Sequence, residues 1–227
     1  MAQEHTLTVA RTARYYILGG MPLDGNSPGT LPATTKHVWF VLHGYGQLAQ
    51  YFIRRFDVVA NDETVVVAPE GLSRLYLNGE FSKVGASWIT REARDHEITD
   101  YVTYLDQLYD RLLGDLEPGT FTVTLLGFSQ GAATACRWLN ASDRLRVDRL
   151  ILWAGFFPNG LSDVIDLGKL ANVPVQYVYG EQDEYIEQMP DSAAYLRQLQ
   201  TELPRLELIP FAGKHTVERS VLTTLLG

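Results

Sequence analysis

Short apolar runs alternate with segments of helical periodicity along this chain, and that alternation predicts its strands and helices. The runs are rich in β-branched and aromatic residues, and their hydrophobicity is nearly continuous rather than alternating. Such strands are typical of a parallel sheet that is covered by helices on both faces. The predicted strands are residues 37–42, 64–68, 121–126, 149–153, 173–179 and 206–209.

Helical segments lie between or after these strands. The clearest spans residues 92–113, where apolar side chains recur every three or four positions and would share one face. The others are residues 48–56, 130–140, 192–203 and 216–226. Residues 6–18 suggest one or two leading strands, and the Gly- and Pro-rich residues 19–35 suggest a loop. The pattern predicts an α/β fold with a mostly parallel central sheet and helices on both faces.

Composition narrows the classes of function. The 227 residues are 46% hydrophobic, which is enough for one sizeable core, so we expect a single domain over residues 1–227. The formal net charge of −8, with scattered Lys and Arg, argues against nucleic acid as a partner. No apolar stretch is long enough to span a bilayer, and the N-terminus lacks the pattern of a secretion signal.

The cysteine and histidine content also excludes some chemistry. The one cysteine, Cys136, cannot form an intramolecular disulfide and is expected in the core, so we expect a cytoplasmic protein. The five histidines show no paired metal-ligand spacing. We therefore expect neither a metal nor another cofactor.

A nucleophile motif follows the third of the predicted strands. Residues 127–131 read Gly-Phe-Ser-Gln-Gly and lead into a helix of small residues. In this strand–turn–helix context, a G-x-S-x-G motif holds its serine on a sharp turn, and the flanking glycines remove Cβ atoms that would clash. Ser129 is the candidate nucleophile, and the alternative is an ordinary Gly-rich turn with a capping serine.

Two backbone N–H groups are candidates for an oxyanion hole. The motif supplies one from Gln130, the residue after the nucleophile. The second is expected from the loop after an early strand, where residues 43–46 read His-Gly-Tyr-Gly, and Tyr45 is our candidate. The side chain of His43 is expected to brace this loop rather than to take part in chemistry.

The order Ser, then Asp or Glu, then His limits the choice of base and acid. His215, in the loop between the last strand and the last helix, is the candidate base because it alone follows the serine. Asp183 is the candidate acid because it lies in the turn after the strand over residues 173–179. Alternatives remain for the acid: Glu181 and Glu184, and more weakly Asp163 and Asp166.

Aromatic residues cluster near these loops and are candidates for substrate binding, with ordinary core packing as the alternative. They are Trp88, Phe128, Phe156, Phe157 and Tyr185.

Together these motifs resemble the phospholipase/carboxylesterase family of α/β-hydrolases, which includes acyl-protein thioesterases. The segments that carry the resemblance are residues 43–46, 127–131, 180–183 and 213–215, with the Ser87-Trp88 pair in support. The resemblance implies an α/β-hydrolase fold without a large cap domain, and places Ser129, Asp183 and His215 at the triad and Tyr45 and Gln130 at the oxyanion hole. Ala132 stands where many members of the family have glycine, and Gln47 stands where the thioesterase branch usually has aspartate, so the bacterial carboxylesterases are the closer match.

We therefore predict a serine hydrolase that cleaves small carboxylic esters of short to medium acyl length through an acyl-enzyme. Alternatives are a thioesterase or lysophospholipase, a peptidase or lactonase on the same fold, and a noncatalytic ligand-binding protein. We expect a small-molecule ester as the partner, with no nucleic acid and no integral membrane association. The sequence does not define the oligomeric state, for which a homodimer is one option.

Overall fold

The computed structural model describes residues 1–20 and 30–226. Of the loop expected over residues 19–35, residues 21–29 lie outside the described part. The strands are β1 (Tyr15–Leu18), β2 (His37–Leu42), β3 (Thr64–Pro69), β4 (Ser73–Tyr76), β5 (Val84–Ser87), β6 (Thr122–Phe128), β7 (Arg149–Trp153), β8 (Val175–Gly180) and β9 (Glu207–Phe211).

The helices lie between these strands or follow them. They are α1 (Ala49–Phe52), α2 (Arg94–Leu113), α3 (Gln130–Ala141), α4 (Glu184–Glu187), α5 (Ser192–Glu202) and α6 (Arg219–Thr224). Short 3₁₀ turns occupy Ile53–Phe56, Leu161–Asp163 and Leu167–Leu170.

Over the described residues, the main sheet has seven strands in the order β1-β3-β2-β6-β7-β8-β9. β1 pairs antiparallel with β3, and the remaining neighbours in this sheet are parallel. The predicted α/β architecture is therefore confirmed. Because the parallel strands all end at one edge, the loops after β2, β6, β8 and β9 meet there, which is where open α/β sheets place their ligands.

The core is divided by the sheet into two layers. Successive side chains of β2 alternate between them: Val38, Phe40 and Leu42 face one layer, and Trp39 and Val41 face the other. Helices α2, α3 and α5 contribute to the first layer, whereas α1 and α6 contribute to the second. Burial on both faces explains why the strands are almost continuously apolar in sequence.

Several element boundaries differ from the prediction. The leading strand covers only Tyr15–Leu18, because its length is set by pairing with the edge of β3. Helix α2 begins at Arg94 rather than at residue 92, since Ala93 has a left-handed backbone with φ of 47°. The helix expected over residues 48–56 is a single α-helical turn followed by a 3₁₀ turn, and the last helix spans only Arg219–Thr224.

The hairpin of β4 and β5 was not predicted. Its two strands of four residues pair with each other as a small antiparallel sheet. An isolated bridge between Gln47 and Ala86 ties this hairpin to the loop after β2. The hairpin therefore stands beside the edge of the main sheet where the site residues gather.

Candidate active site

Ser129 occupies a sharp turn between β6 and α3. Its backbone has φ of 54° and ψ of −117°, a conformation that side-chain-bearing residues rarely adopt. The turn is closed by its neighbours: a Cβ on Gly127 would lie 2.2 Å from the Gly131 carbonyl oxygen, and one on Gly131 would lie 2.2 Å from that of Leu42. The Ser129 N–H donates to the Trp153 carbonyl oxygen at 2.8 Å, which anchors the turn to β7.

His215 and Asp183 come together from two different loops. The His215 Nδ1 atom lies 2.7 Å from the Asp183 Oδ2 atom, and the Asp183 side chain is only 1% exposed. The Tyr185 N–H donates to the other carboxylate oxygen at 2.9 Å. The loops are tied directly as well, because the Gln182 N–H donates to the Gly213 carbonyl oxygen at 2.9 Å. Both carboxylate oxygens are thus held, and one of them faces the imidazole.

The alternative acids do not take this position. Glu181 and Glu184 are exposed beside Asp183, and Asp163 is exposed in a 3₁₀ turn. Asp166 accepts the Gly168 N–H at 2.9 Å and so caps the next 3₁₀ turn. Asp183 is the carboxylate that the structure brings to His215.

Phe128 connects the serine turn to His215. The Phe128 and His215 rings have centroids 4.8 Å apart, and Phe128 directly precedes the serine. The hydrogen bond that the structure records for His215 is to Asp183 rather than to Ser129. The arrangement is a preformed His–Asp pair with the serine turn beside it.

The loop after β2 lies against the serine. A Cβ placed on Gly44 would lie 3.2 Å from the Ser129 Cβ, so glycine permits the close approach. The Gly46 N–H donates to the Ala86 carbonyl oxygen at 2.9 Å, while the N–H of Tyr45 has no acceptor among the described residues. The Gln130 N–H, at the start of α3, is likewise free within that part of the chain. Both predicted oxyanion donors are therefore available for a ligand.

Gln47 fixes this loop, a contact that the sequence interpretation missed. Its Oε1 atom accepts the Gly44 N–H at 2.8 Å. The residue had been singled out only as a departure from the resembled family. A polar side chain directly after a Gly-Tyr-Gly loop was the available signal.

His43 braces the loop from below, as predicted. It is fully buried, its Nε2 atom accepts the Gly71 N–H at 3.0 Å, and its Nδ1 atom lies 2.8 Å from the Gly44 carbonyl oxygen. The acceptor role of Nε2 places the proton of the neutral ring on Nδ1. Desolvation by burial lowers the pKa of His43 to about 4, so the ring stays neutral near pH 7.

Gln130 joins α3 to the segment after β5. Its Oε1 atom accepts the Trp88 N–H at 3.0 Å, and its Nε2 atom donates to the Ile89 carbonyl oxygen at 2.9 Å. Sequence reasoning assigned Gln130 only its backbone N–H, and the side-chain contact spans more than forty positions, which no local pattern reveals.

Three of the five aromatic candidates are core residues, which corrects the prediction. Trp88 and Phe157 are each 2% exposed, and the Trp88 indole N–H donates to the His43 carbonyl oxygen at 2.9 Å. Phe128 is 3% exposed and lies beneath His215. Burial leaves these rings no surface for a substrate. Phe156 and Tyr185, at 53% and 55% exposed, remain candidates.

Two cavities flank the site. The smaller, of about 240 Å³, is lined by Phe156, Tyr185, Gln188, Met189 and Pro190, and the Tyr185 ring lies 4.7 Å from the His215 ring. The larger, of about 570 Å³, lies between the loop after β2, the hairpin tip and the residues after His215. One cavity thus lies beside the loop of Asp183, and the other lies beside the residues that follow Tyr45 and His215.

Other features of the described chain do not add to this site. Cys136 is buried in α3, and desolvation raises the pKa of its thiol to about 12, so it is an unreactive core residue. Across residues 1–20 and 30–226, no cluster of His, Cys, Asp and Glu has the arrangement of a metal site. None of the helices described is long and apolar enough to cross a membrane.

Comparison with known proteins gives one family match and several structural neighbours. The family model described as "Serine hydrolase (FSH1)" matches residues 33–222. No curated protein matches the chain in a sequence search.

The structural neighbours share the fold at low sequence identity. Acyl-protein thioesterase 2 of Zea mays has a TM-score of 0.63 at 15% identity, covering 95% of this chain and 98% of that one. A carboxylesterase of Bacillus cereus has a TM-score of 0.62 at 15% identity, covering 94% and 91%. Esterase PE8 has a TM-score of 0.55 at 21% identity, covering 95% and 98%. These likenesses confirm the predicted α/β-hydrolase fold.

Proposed function

The chain belongs to the serine hydrolase (FSH1) family, and we propose that it hydrolyses small carboxylic esters with Ser129 as nucleophile, His215 as base and Asp183 as the orienting acid. The observation that carries the proposal is the 2.7 Å contact between His215 Nδ1 and the buried Asp183 carboxylate, beside the Ser129 turn. A serine hydroxyl is a weak nucleophile until a positioned base takes its proton.

Asp183 sets the state of the imidazole. With the Nδ1 proton donated to Asp183, the lone pair of neutral His215 resides on Nε2, the nitrogen that must accept the Ser129 proton. The carboxylate also stabilises the imidazolium that forms during attack. Its second oxygen is occupied by the Tyr185 N–H, which keeps the carboxylate from rotating away.

The oxyanion of the tetrahedral intermediate is stabilised by the N–H groups of Tyr45 and Gln130. Such donors are effective because they already point at the position where charge develops. Gln130 begins the twelve-residue helix α3, whose N-terminal dipole adds to the same field. Gln47, through Gly44, holds the Tyr45 loop in place.

The reaction then has two halves. Ser129 Oγ bonds to the ester carbonyl carbon while His215 takes the hydroxyl proton. The imidazolium returns that proton to the departing alkoxide as the ester C–O bond breaks, which leaves an acyl-enzyme. Water, deprotonated by His215, attacks the acyl carbonyl, and Ser129 is regenerated with release of the carboxylic acid.

The smaller cavity suits an apolar portion of the ester. Phe156, Tyr185, Met189 and Pro190 offer apolar surface within reach of His215, and about 240 Å³ accommodates a short to medium chain. The names of the structural neighbours, a thioesterase and two esterases, favour acyl transfer on this fold. The single buried cysteine is compatible with our proposal of a cytoplasmic enzyme.

The geometry favours catalysis over simple ligand binding. Ser129 combines φ of 54° with ψ of −117°, at a backbone strain of about 1–3 kcal/mol, and such strain is concentrated at active sites. A buried carboxylate that contacts a His ring, as Asp183 contacts His215, is likewise typical of catalytic sites.

Substrate class is tested with substrates that differ in the type of bond that is cleaved. We expect turnover of p-nitrophenyl acetate and butyrate, with less or no turnover of p-nitroanilide and lactone substrates. Thioester analogues of the same acyl chains separate a thioesterase from an esterase. Clear amide turnover without ester turnover would contradict the proposal.

A further inference from the structure

The larger cavity is a groove that combines polar, apolar and cationic side chains. We call it the basic groove. Its lining side chains include Gln47, Tyr51, Arg55, Ser82, Lys83 and Thr216. Apolar surface comes from α1 and from the strand β5. No carboxylate lines it within the described chain, although the sequence has 27 acidic and 19 basic side chains.

Its two cations lack acidic partners. Neither Arg55 nor Lys83 forms a salt bridge with any residue that the structure describes. The neighbouring cations differ: Arg219 pairs with Asp57, and the Arg54 guanidinium lies 5.0 Å from the centroid of the Tyr51 ring. Two uncompensated positive charges in one concave site raise the local concentration of anions, and concavity strengthens their field.

The groove begins at the candidate catalytic residues. Gly46, in its wall, follows Tyr45, and Thr216 follows His215. The hairpin that carries Lys83 is fixed to the same loop, since the Gly46 N–H donates to the Ala86 carbonyl oxygen at 2.9 Å and the Ala86 N–H donates to Gln47 at 3.0 Å. These hydrogen bonds fix the backbone of the hairpin that carries Lys83 relative to the Tyr45 loop.

We infer that the basic groove binds a carboxylate of the substrate ester, and that Arg55 and Lys83 determine this specificity. The inference rests on the proposed esterase function. An ester placed at Ser129 extends its apolar part toward Phe156 and Tyr185 and its anionic part toward Arg55 and Lys83. The preferred substrate is then an ester with a negative charge at one end rather than a neutral one.

The test uses pairs of esters that differ only in charge. For an anion on the acyl side, mono-p-nitrophenyl adipate is compared with its methyl ester. For an anion on the leaving group, 4-nitro-3-(octanoyloxy)benzoic acid is compared with its methyl ester. Each pair is measured with the full chain, with Arg55→Gln, with Lys83→Gln and with the double variant. Arg111→Gln removes one exposed positive charge from α2, on the other face of the sheet, and is the matched control.

We expect the wild type to have a higher kcat/KM for the anionic member of one pair, because its KM for that ester is lower. Arg55→Gln and Lys83→Gln each lower this preference by about two- to five-fold, the range for partly exposed charge pairs, and the double variant removes it. Arg111→Gln leaves it unchanged, and added salt weakens it. The pair that responds shows which side of the ester carries the anion.

Equal kcat/KM for both members of both pairs, or a preference that survives in the double variant, would overturn the inference. Turnover of the neutral methyl esters keeps this outcome separate from the proposed function. If the neutral esters are hydrolysed and the preference is absent, the esterase proposal stands and only the anion site fails. If no ester of either charge is hydrolysed, the proposed function itself fails.

Discussion

Gln130 and Trp88 are joined across more than forty positions of sequence by a hydrogen bond of 3.0 Å, from the Trp88 N–H to the Gln130 side chain. The same glutamine therefore offers its backbone N–H at the serine turn and clamps the segment after β5 with its amide. The Trp88 indole N–H in turn donates to the backbone carbonyl oxygen of His43. Trp88 therefore links the first turn of α3 to the loop after β2, which carries Tyr45.

Removal of that clamp should cost stability. Gln130→Ala leaves the buried Trp88 N–H without its side-chain acceptor and removes one of the two donors to the Ile89 carbonyl, so about 1–3 kcal/mol of unfolding free energy should be lost. The backbone N–H of residue 130 is retained, so labelling of Ser129 by an active-site probe should persist. Urea unfolding measures the loss. Gln198→Ala, which removes a hydrogen bond to Glu202 on an exposed helix face, is the control and should change little. Equal stability of the two variants would contradict the assignment.

Asp183 should be essential for rate but not for folding. Asp183→Asn keeps the side-chain shape but lets the His215 ring present the wrong tautomer, so kcat for p-nitrophenyl esters should fall on the order of 10³-fold or more with KM little changed. Asp191→Asn is the matched control, because Asp191 caps α5 through the Ala194 N–H and lies on the surface. If both asparagine variants kept wild-type kcat, Asp183 would not be the acid.

Acid should destabilise the protein through His43. Its pKa in the folded state, about 4, lies below the ordinary value of 6.5, so folding favours the neutral ring. Stability from this group is complete above pH 6.5 and is lost as the pH falls toward 4, by about 3 kcal/mol in all. His43→Gln retains an acceptor for Gly71 and does not titrate.

The measurement compares urea unfolding of the wild type and His43→Gln at pH 7.5 and pH 4. The difference in unfolding free energy between the two proteins should shrink at the lower pH. A difference that is independent of pH would mean that His43 is not the titrating group.

The glycine after the serine turn should not tolerate a side chain. A Cβ on Gly131 would lie 2.2 Å from the Leu42 carbonyl oxygen, which belongs to the backbone of β2 and cannot move away. Gly131→Ala should therefore lose about 2–3 kcal/mol of stability and displace the turn, with a fall in probe labelling. Gly79→Ala meets nothing within 4 Å and should behave as wild type. Normal stability and labelling of Gly131→Ala would show that the turn is less tightly packed than we describe.

The parts of the site that sequence predicted depend on local signals. The turn at Ser129 is encoded within five residues between an apolar strand and a helix. Asp183 and His215 were chosen because they follow Ser129 in the order Ser, Asp, His that this motif requires. The central strands were predicted because burial on both faces makes them continuously apolar. Their order in the sheet, by contrast, is set by contacts between distant segments.

What sequence did not predict depends on such distant contacts. The strands Ser73–Tyr76 and Val84–Ser87 have only four residues each. Their pairing with each other, like the bridge from Ala86 to Gln47, leaves no local pattern. Trp88, Phe128 and Phe157 were candidates for either substrate binding or the core, because aromatic residues near loops occur in both, and only packing decides between them. Lys83 and Arg55 likewise meet in one groove although they are far apart in the chain.

The most direct test of the central claim is covalent labelling of Ser129. A fluorophosphonate probe reacts with a serine only when a base activates its hydroxyl, so the wild type should be labelled and the modified peptide should contain residues 127–131. Ser129→Ala should show no label and no p-nitrophenyl ester turnover, whereas Ser162→Ala, at an exposed position, should show both. Absence of labelling in the wild type, or equal labelling of Ser129→Ala, would contradict the account.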